Sequence, residues 1–175
     1  MSPAVWYFAR SAGLVAYLLL SASVLLGVSM SGRVKLSWPR FAVEDVHRFL
    51  AILTGVFILL HGASLFLDSV VRTGIEQLLV PFTSSYRPLA VGLGVCAAEL
   101  VAAVGITTWL RPRIPHGVWR KVHYLTLPAW ALASLHGLLA GTDRFDPWFA
   151  AIFAGAFSAV LLATVVRFSN PGQAT

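Results

Sequence analysis

The sequence predicts an all-α membrane protein, a helical bundle of five transmembrane helices with the N-terminus outside and the C-terminus cytoplasmic. Three observations predict it. The 175 residues are 58% hydrophobic and only 11% charged, with a mean hydropathy of +0.79. A soluble domain of that size cannot hide so much apolar surface, so the solvent is lipid. Five stretches, about 6–30, 43–67, 88–110, 121–140 and 147–167, match the ~20 apolar residues that cross a hydrocarbon core. Lys and Arg, finally, gather in alternate connections.

The first span, Trp6 to Met30, holds one charged residue, Arg10, near its outer end and reads as a packing helix. Its basic flank (Arg33, Lys35, Arg40) follows the apolar run, as in a retained helix rather than a cleaved leader. The second opens after Trp38-Pro39 with Glu44 and Asp45 expected in its first turn, where a helix N-terminus favours acids. It leaves the membrane near Asp68, and GIEQLLVPF follows as an amphipathic piece lying in the interface. Tyr86-Arg87-Pro88 starts the third span, where Gly92, Gly94 and Gly105 permit close helix approach. Glu99 lies near its middle and, being costly in lipid, is expected to face the bundle interior. After the fourth span, GTDRFDP makes the outer turn, and Asp146 caps the fifth helix with Pro147 at its first position. That helix reads as a cover, and the tail SNPGQAT is too short to fold.

Orientation follows from the basic residues. Arg33, Lys35, Arg40 and Arg48 flank the first connection, and Arg111, Arg113, Arg120 and Lys121 the third. The second connection sets Arg72 and Arg87 against Asp68 and Glu76, and the fourth sets Arg144 between Asp143 and Asp146. Positive loops stay in the cytoplasm. The net charge of +6 is thus a topology signal, and no basic run points to nucleic acid. Lone Cys96 sits within a span, which leaves no disulfide, and no C-x-x-C-H offers covalent haem attachment.

Four of the five histidines fall into two pairs. His47 and His61 lie in VHRFLAILTGVFILLHG, and His123 and His136 in KVHYLTLPAWALASLHG. The second and fourth spans run the same way, so His47 matches His123 in depth at the inner level and His61 matches His136 at the outer. The spacing of 14 turns a helix about 1400°, nearly four turns, and rises about 21 Å, keeping His47 and His61 on one face. The spacing of 13 falls off face in an ideal helix. Pro128 lies between those two histidines, and a tightened or kinked turn there is expected to restore the face.

A neutral imidazole is a standard axial ligand of low-spin haem iron, and two from facing helices clamp the ring edge-on. Gly55, Gly62 and Gly137 remove side chains where a flat ring must lie. Zinc would find only two protein ligands per site. A single intramembrane histidine is better read as hydrogen-bonded to a neighbouring helix. Four at matched depth favour two b-haems, His47/His123 inner and His61/His136 outer, with residues 1–175 as one transmembrane haem-binding domain.

HRFLAILTGVFILLHG, YRPLAVGLG and WRKVHYLTLPAWALASLHGLLAGTD together resemble the ferric reductase-like transmembrane domain family. That family includes NADPH oxidases, ferric reductases and the haem-binding subunit of bacterial methionine sulfoxide reductase systems. The resemblance covers roughly residues 43 to 145, and the spacings of 14 and 13 are its specific part. It implies the same ligand pairs and electron flow across the membrane. Many members have six helices where five are read here, and the oxidases and ferric reductases continue into an FAD- and NADPH-binding domain. No G-x-G-x-x-G occurs here, so electrons are expected from a separate cytosolic flavoprotein, with FAD or FMN, or from a quinol.

Arg48, Arg120 and Lys121 are candidates to neutralise inner haem propionates, and Arg87 or Arg144 the outer ones; topology and headgroup contact explain them equally well. Trp130 and Phe57 lie between the ligand levels, where packing is the ordinary role. His116, in RPRIPHGVW, reads as solvated. Three functions compete: a b-type cytochrome subunit serving an extracytoplasmic oxidoreductase, a direct ferric-chelate or oxygen reductase at the outer face, and a non-redox channel or assembly protein with structural histidines. The expected location is a bacterial plasma membrane.

Overall fold

A computed structural model describes residues 3–31, 38–67 and 74–169, and every element among them is helical. In chain order these are α1 (Pro3–Ser31), α2 (Arg40–Phe66), the short α3 (Ile75–Leu79), α4 (Pro88–Trp109), a single 3-10 turn (Arg111–Arg113), α5 (His116–His123), α6 (Thr126–Ala140) and α7 (Pro147–Ser169). Arg33, Lys35, Asp68, Arg72 and the tail beyond Ser169 lie outside the described residues.

Four of these helices, α1, α2, α4 and α7, are long and apolar enough to cross a membrane. This is a multi-pass membrane protein. The expected fourth span, 121–140, is broken in two. Pro128 has no N–H to give the carbonyl of Tyr124. That carbonyl instead accepts from Leu127 N at 3.2 Å, while Leu125 N reaches Val122 O at 2.9 Å. Both are three-residue bonds, and the tightened turn separates α5 from α6. At 15 residues, α6 is about 22 Å long and alone is short of a ~30 Å hydrocarbon core.

The second helix begins earlier than expected. Pro39 is its N-cap and Arg40 its first residue, so no acid lies in its first turn. Glu44 and Asp45 fall beyond it because the fixed φ of Pro39 starts the helix directly. The piece GIEQLLVPF contains the short α3, with Gln77 and Leu78 half-buried, α4 starts at Pro88 as read, and α7 starts at Pro147 with Ala150 N bonded to the Asp146 carbonyl at 3.0 Å.

Two antiparallel helix pairs, α1 with α2 and α4 with α6, form the body, and α1 also packs against α6 and α7. The core lies where α1, α6 and α7 meet, around Tyr17, Leu20, Val24, Trp130, Phe153 and Val160. Tyr17 stacks on Phe153 at 4.7 Å and Trp130 on Phe157 at 5.1 Å. Aromatic pairs of this kind add about 0.5–1.5 kcal/mol beyond area burial. The indole of Trp130 donates to Ser21 Oγ at 3.0 Å, and Ser134 Oγ lies 3.3 Å from the Tyr17 hydroxyl. Trp130 is therefore a packing residue of the α1–α6–α7 core. At one end, Arg10 of α1 pairs with Asp143 in the turn after α6.

Candidate functional site

The two helix pairs bring the four histidines together as the spacings predicted. His47 faces His123 with ring centroids 6.2 Å apart and planes at 69°. His61 faces His136 at the same 6.2 Å, with planes at 74°. The tightened turn before Pro128 is what makes the second face coherent. Thirteen residues of ideal helix leave His123 and His136 about 140° apart, and winding at 3.0 residues per turn adds rotation in the sense that closes that gap.

The backing helices orient the rings. His61 Nδ1 lies 2.8 Å from the carbonyl of Ala9, His47 Nδ1 2.9 Å from that of Ser23, and His136 Nδ1 2.7 Å from that of Ala90. A carbonyl only accepts, so each of these nitrogens carries the hydrogen and donates it. The lone pair is left on Nε2, at the other side of the ring. A backbone carbonyl on the far nitrogen is the usual partner of a metal-binding imidazole.

Glycines supply the seats. A Cβ on Gly13 would stand 3.1 Å from the His61 ring, one on Gly27 3.3 Å from His47, and one on Gly94 2.6 Å from His136. The glycines singled out beside the ligands behave differently. A Cβ at Gly55 or Gly62 meets nothing within 4 Å, whereas one at Gly137 would touch Phe153 at 3.4 Å. Gly13 and Gly27 are spaced 14 apart like the histidines they seat, a repeat that sequence reading missed although it was visible.

Separation can be compared with ligation. An imidazole nitrogen bonds a first-row metal at about 2.0 Å, and the ring centroid lies roughly 1.1 Å behind it, so two imidazoles in line through one metal stand about 6.2 Å apart. Both pairs meet that distance. Among the described residues no three His, Cys, Asp or Glu gather into a metal site, so each pair offers two imidazoles and no more.

Around the pairs, Arg48, Arg120 and Lys121 are exposed at the His47–His123 end. Arg87 donates to the Leu139 carbonyl at 2.8 Å, and Arg144 lies over the Phe145 ring at 4.8 Å, both toward the other end. His116 is exposed with its ring 5.2 Å from Trp119. Glu99 is a correction. It is exposed on the outer side of α4 rather than turned inward. Nine residues past Ala90, it points about 180° from the strip that receives His136.

The sequence pattern of the family described as "Ferric reductase like transmembrane component" matches residues 12–134. The chain belongs to that family. Within this ferric reductase-like chain the match takes in α2, α4 and α5 with His47, His61 and His123, and stops two residues before His136. Membership makes it a membrane redox component. No curated protein and no solved structure was found to match it.

Proposed function

We propose that this chain is a b-type cytochrome that carries single electrons from the cytoplasmic face to the outer face through two bis-histidine haems. One is held by His47 and His123 nearer the cytoplasm, the other by His61 and His136 nearer the outside. The observation that carries the reading is the repeated 6.2 Å separation of the two histidine pairs. The anchored Nδ1 atoms of three of the four rings support it, since they leave Nε2 free to ligate.

Bound haem supplies reversible one-electron chemistry at its iron. The chain would hold each ring by two imidazoles, and a side chain at Gly55 or Gly62 meets nothing within 4 Å. Arg48 and Arg120, exposed at the His47–His123 end, neutralise propionates there. In this reading α5 and α6 together make the fourth of five crossings, with the N-terminus outside and the basic cluster Arg111, Arg113, Arg120 and Lys121 in the cytoplasm.

The donor is a separate cytosolic flavoprotein carrying FAD or FMN, or a quinol, and the acceptor is an extracytoplasmic oxidoreductase. The short turn at 141–146, pinned by the Arg10–Asp143 ion pair, favours a docked acceptor over direct reduction of ferric chelates or oxygen. The membrane is taken to be a bacterial plasma membrane.

Vesicles loaded with ferricyanide and carrying the haem-replete chain test the reading. External dithionite should bleach the trapped ferricyanide, and His61→Ala should abolish the effect. Bleaching no faster than in protein-free vesicles overturns transmembrane electron transfer.

A further inference from the structure

Three of the four histidine rings are anchored at Nδ1 by a backbone carbonyl of a neighbouring helix, that of Ala9, Ser23 or Ala90. The fourth is not. Nδ1 of His123 is buried without a hydrogen-bond partner among the described residues. The anchored rings lie on α2 and α6, whereas His123 is the last residue of the eight-residue α5.

Trp119 lies against this ring instead. It stands one helical turn before His123, on the same face of α5. Its indole stacks on the imidazole with centroids 5.1 Å apart and planes 28° from parallel. The indole is in turn held from outside α5. Trp119 Nε1 donates to Thr108 Oγ1, near the end of α4, at 3.3 Å. The Arg111 guanidinium, from the 3-10 turn, lies 4.4 Å from the centre of the Trp119 ring, where the negative face of an indole attracts a cation. Trp119 is half-buried and tied to two other elements. It is a fixed wall, and His123 rests on it.

Rotating the His123 ring about its Cβ–Cγ bond would break the stack, so the wall holds the plane that faces His47. Holding the orientation of the ring is part of what an outer-shell partner does for a metal-binding imidazole, and losing such a partner weakens metal binding by about 10–100-fold. A tryptophan at a membrane end is ordinarily an interface anchor. That role would support the whole bundle, not one ligand.

We propose that Trp119 is the positioning residue of the His47–His123 haem site, holding the His123 imidazole by stacking where a carbonyl holds each of the other three. This rests on the two-haem reading above.

The test is haem release from the oxidised, haem-loaded full chain to excess apomyoglobin, in two backgrounds. His61→Ala retains only the His47–His123 haem, and His123→Ala only the other. Adding Trp119→Ala should speed release about tenfold or more in the first background and leave the second unchanged. Trp119→Leu, which keeps apolar bulk against α4, should act in the same sense. Trp119→Phe, which keeps an aromatic face against His123, should restore slow release. The electron paramagnetic resonance signal of the low-spin His47–His123 haem should move with Trp119→Leu and return with Trp119→Phe. Release unmoved by Trp119→Ala and Trp119→Leu, equal acceleration in both backgrounds, or no rescue by Trp119→Phe overturns the inference while leaving the cytochrome reading intact. A chain that binds no haem overturns both.

Discussion

A Cβ on Gly94 would fall 2.6 Å from Nδ1 of His136, inside the space the ring occupies. Since backbone cannot yield there, Gly94→Val should turn His136 away from His61. Haem content per chain should drop from two to one. Gly105→Ala is the control, because a Cβ there meets nothing within 4 Å, and it should retain both haems by pyridine haemochrome assay. Two haems in Gly94→Val would show that the seat is dispensable.

Pro128→Ala tests the tightened turn. Restoring the N–H lets the Tyr124 carbonyl take its ordinary partner and the helix run straight, which sets His123 and His136 about 140° apart. One haem should be lost although neither ligand is touched. An unchanged spectrum would mean that the turn is held by packing rather than by the proline.

Glu99 points away from both histidine levels, so it should be irrelevant to cofactor loading. A charged group at the centre of a helix in lipid costs about 3 kcal/mol. Glu99→Leu should therefore keep both haems and raise the thermal unfolding midpoint of the purified chain. Loss of a haem would place Glu99 in the site after all.

Ser21 accepts the hydrogen bond of the buried Trp130 indole. Ser21→Ala should lower stability by about 1 kcal/mol, within the range for an interhelical bond in a membrane protein. The visible spectrum should not change, because Trp130 packs on Phe157 in the core of α1, α6 and α7. A spectral shift would give Trp130 a role at the ligands.

The histidine pairing was legible because two physical rules suffice: 14 residues return to one face, and helices of one direction share depth at matching positions. The break near Pro128 was legible because a missing N–H leaves a carbonyl to be satisfied another way. The backing was not. Which helix lies behind which histidine depends on packing between distant segments, so Ala9, Ser23 and Ala90 as anchors had no local signal. The repeat of Gly13 and Gly27 at the histidine spacing was a signal, but on a helix without a histidine of its own it points to no ligand until the packing is known. The cost of a charge in lipid argues for an inward Glu99, and only the placement of Ala90 behind His136 shows that its side of α4 is the exposed one. The family match supports the membrane redox class.

The most direct test of the central claim is pyridine haemochrome quantitation of the detergent-purified chain, with His61→Ala and His123→Ala beside it. The account predicts two b-haems per chain and one in each variant, with reduced spectra of a six-coordinate low-spin cytochrome. A colourless protein after haem-replete expression, or variants that keep the full complement, would contradict it.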